Sequence, residues 1–195
     1  MKAVLDACVL FPTVLREILT GVAALGLFEP LWSDRIFREW TLATAKLGPV
    51  AQAQSEGEAA VLRTSFPRAM VREQPAIEVR LLLPDANDRH VLAVAVAAHA
   101  DCVVTFNARD FPRHVLAEEG IARRDPDGFL WEIWSHHPDA VAGVVLGVHA
   151  LAERLSGGEI MLKGLLKRAH LPKLAKALVA QAGGQPPDPR DIWAR

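Results

Sequence analysis

A chain of 195 residues, 51% apolar and 23% charged, is long enough for one well-buried domain plus an appendage and needs no staples to fold. Its two cysteines, Cys8 and Cys102, sit in apolar runs outside any CxxC or Cys/His cluster. They set aside a thiolate metal site or a disulfide framework and point to a reducing cytoplasm. The net charge of −1 hides an asymmetry, because residues 156–195 hold seven Lys or Arg against three acids: an acidic body carries a basic tail.

In chain order, Ala3 to Leu5 reads as a short buried strand ending at Asp6, which also breaks the run too early for a signal peptide. Pro12 opens a helix through Ala24, with Val14, Leu15, Ile18, Leu19 and Val22 at helical spacing and Gly26 as the stop. Leu31 and Trp32 form a second strand, and Ser33 caps a helix through Leu47, closed by Gly48 and Pro49. Residues 50 to 65 are helical up to Pro67, and Ile77 to Leu83, between two prolines, reads as extended. A helix from Asn87 to about Ala100 is apolar nearly all round, so both its faces should be covered.

Cys102 to Phe106 is a β-branched strand signal. A helix at Arg113 to Glu119, a strand at Ile121 to Arg123 and a helix at Asp127 to Ser135 complete the alternation, which implies a mostly parallel sheet covered on both sides. Beyond His136 the pattern turns wholly helical: one helix from Asp139 to about Leu155, a break at Ser156-Gly157-Gly158, and a basic pair divided near Pro172. The Gly/Pro-rich end, Gly183 to Pro189, should stay mobile until Trp193 finds a partner surface. The longest apolar stretches fall short of the roughly twenty residues that span a bilayer, so no membrane partner is expected.

Ligands of open α/β sheets collect beyond the carboxyl ends of the strands, where Asp6 and Asn107 fall. Glu39 lies at the border of its helix's apolar stripe, within reach of a half-buried pocket; its plainer role is a rim pair with Arg35 or Arg38. Of Asp85 and Asp88, which precede the apolar helix, Asp88 is preferred as a metal ligand, with Asp85 as cap or outer support. Thr105, Asn107, Arg109 and Asp110 supply a hydroxyl, an amide, a guanidinium and a carboxylate just past a strand, a composition that also suits a plain turn. Carboxylates gathered in this way suit Mg²⁺ or Mn²⁺, ions that activate water for phosphodiester cleavage.

The order of these segments resembles the PIN-domain family, to which the VapC-type toxins of bacterial toxin–antitoxin pairs belong. The resemblance is carried by Val4-Leu5-Asp6-Ala7-Cys8, the run from Ser33 to Trp40, Asp85-Ala86-Asn87-Asp88-Arg89-His90-Val91-Leu92-Ala93, and Val104 to Phe111. It covers about residues 1 to 135, and it makes residues 136 to 195 a helical extension similar to those of some VapC-like proteins.

The resemblance implies a three-layer α/β/α sandwich with a short parallel sheet plus C-terminal helices. It also implies an acidic pocket for Mg²⁺ or Mn²⁺ and ribonuclease activity on single-stranded or loop RNA. Asp6, Glu39 and Asp88 match the family's acidic triad: Asp6 and Asp88 would hold the ion, and Glu39 would position or deprotonate a water for in-line attack on phosphorus. Asn107 stands where the family often has a fourth acid; it offers a carbonyl oxygen without charge, and Asp110 can compensate. Thr105 and Arg109 fall on the substrate side. The leucines of the tail would pack on the core, bind a cognate antitoxin or make a homodimer face, while Lys163, Lys167, Arg168, Lys173 and Lys176 could follow RNA phosphates. Two other readings stay open. One is an aspartyl phosphotransferase, disfavoured by Cys8 in the place of its usual second acid; the other is a catalytically degenerate PIN-like module that binds RNA or a partner.

Overall fold

The computed structural model describes residues 1–183; the segment around Trp193 lies outside the described residues. Four short strands, β1 (Lys2–Leu5), β2 (Glu29–Leu31), β3 (Cys102–Val104) and β4 (Ala122–Arg124), pair in parallel in the order β2-β1-β3-β4. Val4 lies opposite Leu31 on one side and Val103 on the other, and Val104 opposite Arg124. Ala3, Val4, Leu5 and all of β3 are buried, so helices cover both faces of the two central strands. The parallel sheet covered on both sides that the alternation predicts, and the α/β/α sandwich that the resemblance implies, are what forms.

Local chemistry explains the helix ends. A one-turn helix, α1 (Ala7–Leu10), follows Asp6 directly, and α2 (Thr13–Ala24) ends where Gly26 takes a φ of 73° that an L side chain resists. Ser33 caps α3 (Asp34–Ala45) by accepting the Ile36 N–H at 3.3 Å, and α4 (Pro49–Ser65) starts on a proline that has no N–H to waste. These two helices pack as a hairpin pinned inside by the Thr44–Ser55 hydroxyl pair. The buried Arg16 of α2 reaches Glu58 of α4 and the Leu10 carbonyl, with its guanidinium over the Trp40 ring.

The segment Ile77 to Leu83 is not extended. Pro75 opens a single helical turn, α5 (Pro75–Glu78), and the chain then turns through Arg80 with Leu81 and Leu83 buried as anchors. A proline at the first helical position favours that turn, and among the described residues no strand offers Ile77 to Leu83 a ladder. The strands expected at Leu31–Trp32, Cys102–Phe106 and Ile121–Arg123 are present but shifted or shorter. The apolar helix is α6 (Arg89–Ala97), preceded by a 3₁₀ turn at Ala86–Asp88.

After α7 (Arg113–Glu118) and β4, the chain enters α8 (Pro126–His136), α9 (Pro138–Ser156), α10 (Leu162–Arg168) and α11 (Pro172–Ala182). α9 lies on α2 so closely that a Cβ on Gly21 would come within 2.7 Å of Val144 Cγ1. α11 docks on α8 through Asp127, whose two oxygens accept the N–H groups of Lys173 and Leu174 at 2.8 and 3.0 Å. Leu166, Leu171, Leu174 and Leu178 are buried in the same cluster as β1 and β3, so the tail helices complete one core. Val179, in contrast, stays exposed. Among the described residues no helix is long and apolar enough to cross a membrane.

Candidate active site

Because β1 and β3 are neighbours, Asp6 and the loop after Val104 leave the sheet side by side, joined by the Asp6 N–H on the Val104 carbonyl at 3.2 Å. Asp6 begins α1 without a side-chain cap bond, so its carboxylate is free to face the loop, although it is only 7% exposed. Its Oδ2 accepts the Thr105 hydroxyl at 2.6 Å and the Cys8 thiol at 3.1 Å. The Cys8 thiol is pushed up to about 12, first by burial and then by Asp6, so it stays protonated and serves as a donor.

Asp88 closes the 3₁₀ turn, and its Oδ2 accepts the Asn107 side-chain amide at 3.0 Å. Asn107 Oδ1 meanwhile accepts the Asp110 N–H at 3.3 Å, and the Asn107 N–H donates to Thr105 Oγ1 at 2.9 Å. The loop from Thr105 to Asp110 therefore holds both aspartates at once. Asp85 takes the cap, accepting the Asn87 N–H at 2.8 Å.

Glu39, on α3, is reached by Arg35 Nε at 3.4 Å. The same guanidinium donates to Glu78 and to the Asn87 carbonyl, both at 3.2 Å, tying α3 to α5 and to the turn that carries Asp88. His90 Nε2 stands 2.9 Å from Glu39 Oε1, an ion pair when the ring is protonated, and among the described residues neither ring nitrogen of this buried histidine makes a hydrogen bond of good geometry.

Electrostatics brings these acids together more directly than any one distance. Asp88 is raised from 3.8 to about 6, by burial first and then by Asp6, Asp85, Asp110 and Glu39 in turn. Among the described residues neither Asp6 nor Asp88 pairs with a lysine or arginine, and no three His, Cys, Asp or Glu side chains stand as a ready-made cage. A crowd of oxygen donors with surplus negative charge, offset by a cation only at Glu39 through Arg35, fits a hard divalent ion in both donor type and charge.

Two expected placements change. Thr105, expected on the substrate side, is 3% exposed, and its hydroxyl is committed to Asp6 and to the Asn107 N–H. Asn107 turns its amide nitrogen, not its carbonyl, toward the acids. Arg109 is exposed and without a partner among the described residues, and Asp110 is half-buried and near enough to Asp88 to raise it. Arg35 meets Glu39 as the rim pair expected of it, whereas Cys8 and His90 were not anticipated at the site. The available signal was spacing: Cys8 falls two residues after Asp6, and Arg35 four before Glu39, one helical turn away.

Over 61 residues the chain is 39% identical to a Mycobacterium tuberculosis protein named "Putative ribonuclease VapC50". The matched stretch covers 31% of this chain and 36% of that relative. No solved structure matches. A model of the PIN domain matches residues 2–109, more than half of the chain and the whole span from β1 to the loop that holds both aspartates, and the chain belongs to the PIN-domain family.

Proposed function

We propose that this protein is a ribonuclease dependent on Mg²⁺ or Mn²⁺ that cuts single-stranded or loop RNA and acts as the toxin of a toxin–antitoxin pair. The observation that carries this reading is the gathering of Asp6, Asp85, Asp110 and Glu39 around a half-buried Asp88, which burial first and these acids next raise to about 6, while among the described residues no lysine or arginine offsets Asp6 or Asp88. Asp6 and Asp88 would hold the ion, with Asp110 at its border; when bound, the ion would offset charge developing on phosphate oxygens and lower the pKa of water.

The chain's own residues supply the rest. Thr105 and Cys8 fix one oxygen of Asp6, and Asn107 fixes one of Asp88, so each carboxylate keeps its other oxygen for the ion. Glu39, restrained by Arg35, is the base that positions or deprotonates the attacking water. Arg109, exposed on the same loop, meets the substrate phosphates. Two free thiols suit the reducing cytoplasm in which a cognate antitoxin would be met.

The test is cleavage of a structured RNA mixture by purified protein with Mg²⁺, with Mn²⁺ and with EDTA. Metal-dependent products are expected from the wild type and none from Asp6→Asn, Glu39→Gln or Asp88→Asn with the fold intact. RNA bound but uncut under either metal would overturn the nuclease reading in favour of a binding module, which Asn107 in the place of an acid favours. The partner assignment is tested by co-purification with the product of the neighbouring gene.

A further inference from the structure

Phe106 lies between the two residues that hold the acids, since Thr105 bonds Asp6 and Asn107 bonds Asp88, and its own N–H donates to Cys8 Sγ at 3.3 Å. It is nonetheless 38% exposed, a large apolar ring left open at the lip of a charged pocket. The ring is met from the tail: His170, exposed between α10 and α11, stands edge to face against it, centroids 5.3 Å apart.

His170 holds this place at a cost. Its φ is 61°, left-handed, and it occupies the position just past a helix where glycine is usual: its N–H bonds the Lys167 carbonyl and the next N–H, of Leu171, bonds that of Leu166. His99 repeats that backbone geometry, with a φ of 51°, at the start of the β3 edge and without such a ring contact, so the left-handed turn alone does not single out His170. The contact with Phe106 does. α10, which leads to it, is a basic helix. Lys163, Lys167 and Arg168 are exposed and have no acidic partner among the described residues, and the bare Gly164 lets the Arg168 guanidinium lie along the helix 3.5 Å from where a Cβ would stand.

We propose that Phe106 and His170 together form a stacking platform for one base of single-stranded RNA at the rim of the acid pocket, with Lys163, Lys167 and Arg168 taking the adjoining phosphates. The proposal rests on the ribonuclease reading. It gives the tail helices a direct part in substrate binding: half of the platform comes from the PIN core and half from the turn between α10 and α11. Two rings tolerate any base face, so the platform sets register along the strand without reading sequence.

The full-length protein is titrated in EDTA against a fluorescently labelled single-stranded oligoribonucleotide, and cleavage is followed separately with Mg²⁺ or Mn²⁺. Phe106→Ala and His170→Gly should each weaken binding about 5- to 30-fold, the loss of one stacked base, and raise KM with little change in kcat. Phe106→Trp should keep wild-type affinity. His170→Gly is the informative variant because glycine suits the left-handed turn, so its melting temperature should hold or rise while affinity falls. Oligoribonucleotides with a single abasic site walked along the strand should lose the same factor at one position in the wild type, and no further factor there in Phe106→Ala. Affinities of both variants within twofold of a binding wild type, or an abasic penalty unchanged in Phe106→Ala, would overturn the platform and leave the nuclease standing. A wild type that neither binds nor cuts RNA would remove both.

Discussion

Replacing Asp88 by asparagine should make the metal-free protein more stable while removing its activity. The gap between 3.8 and about 6 corresponds, at about 1.4 kcal/mol per pH unit, to about 3 kcal/mol of unfavourable interaction borne by the ionised form. Asp88 is only half-buried, and solvent screening reduces this to about 1–2 kcal/mol. Asparagine keeps an oxygen for the Asn107 amide, so the hydrogen bond at 3.0 Å survives the exchange. In EDTA at pH 7.5 the variant should therefore melt a few degrees above the wild type.

The sign with pH follows from linkage. The folded state holds the Asp88 proton more tightly than the unfolded chain, so wild-type stability falls as pH rises from about 4 through about 6 and is level above. The advantage of the variant should thus be full at pH 7.5, shrink between pH 6 and pH 4, and vanish below. Adding Mg²⁺ or Mn²⁺ at pH 7.5 should close the gap by stabilising the wild type more than the variant. Thermal melts at four pH values, with and without metal, decide the matter. A variant no more stable than wild type in EDTA at pH 7.5, or a difference that persists unchanged at pH 4, would refute the idea that burial and the neighbouring acids burden the ionised Asp88.

Thr105→Val removes the hydroxyl that holds Asp6 and accepts the Asn107 N–H; it should cost about 1–3 kcal/mol in urea unfolding and lower kcat at least tenfold, with Thr105→Ser close to wild type. Asp127→Ala deletes the cap of α11 and should cost about 2 kcal/mol, read as a lower urea midpoint.

The sheet was readable because β1 and β3 are short apolar runs that end on a polar residue; that ending places Asp6 directly after β1, whereas β3 stops at Val104 and leaves Asn107 in the loop beyond it. The functional direction of Thr105 and Asn107 was not readable. A residue one step past a strand turns toward whatever its neighbouring strand presents, and Asp6 lies 99 residues away from Thr105 in sequence. Cys8 looked like a core thiol because nothing local reports that α1 folds it back against Asp6. Ile77 to Leu83 misled through composition: apolar residues between prolines suggest extension, yet a strand needs a ladder and this segment has none. His90 disappears in an apolar helix, and only packing shows it beside Glu39. The attachment of the tail depended on Asp127 meeting Lys173, a pairing 46 residues apart that no periodicity announces.

The placement of β1 at the centre of the sheet also has a kinetic consequence. Its pairing with β3, and the Asp6–Thr105 bond that depends on it, must wait until about half of the chain has been ordered or looped out, whereas α2, α4 and α9 can form from neighbouring residues. Helical signal should therefore return early when the unfolded protein is diluted from denaturant, with the acid pocket assembling among the last events. A cell making such a protein gains an interval in which the growing chain is folded in part yet has no working centre.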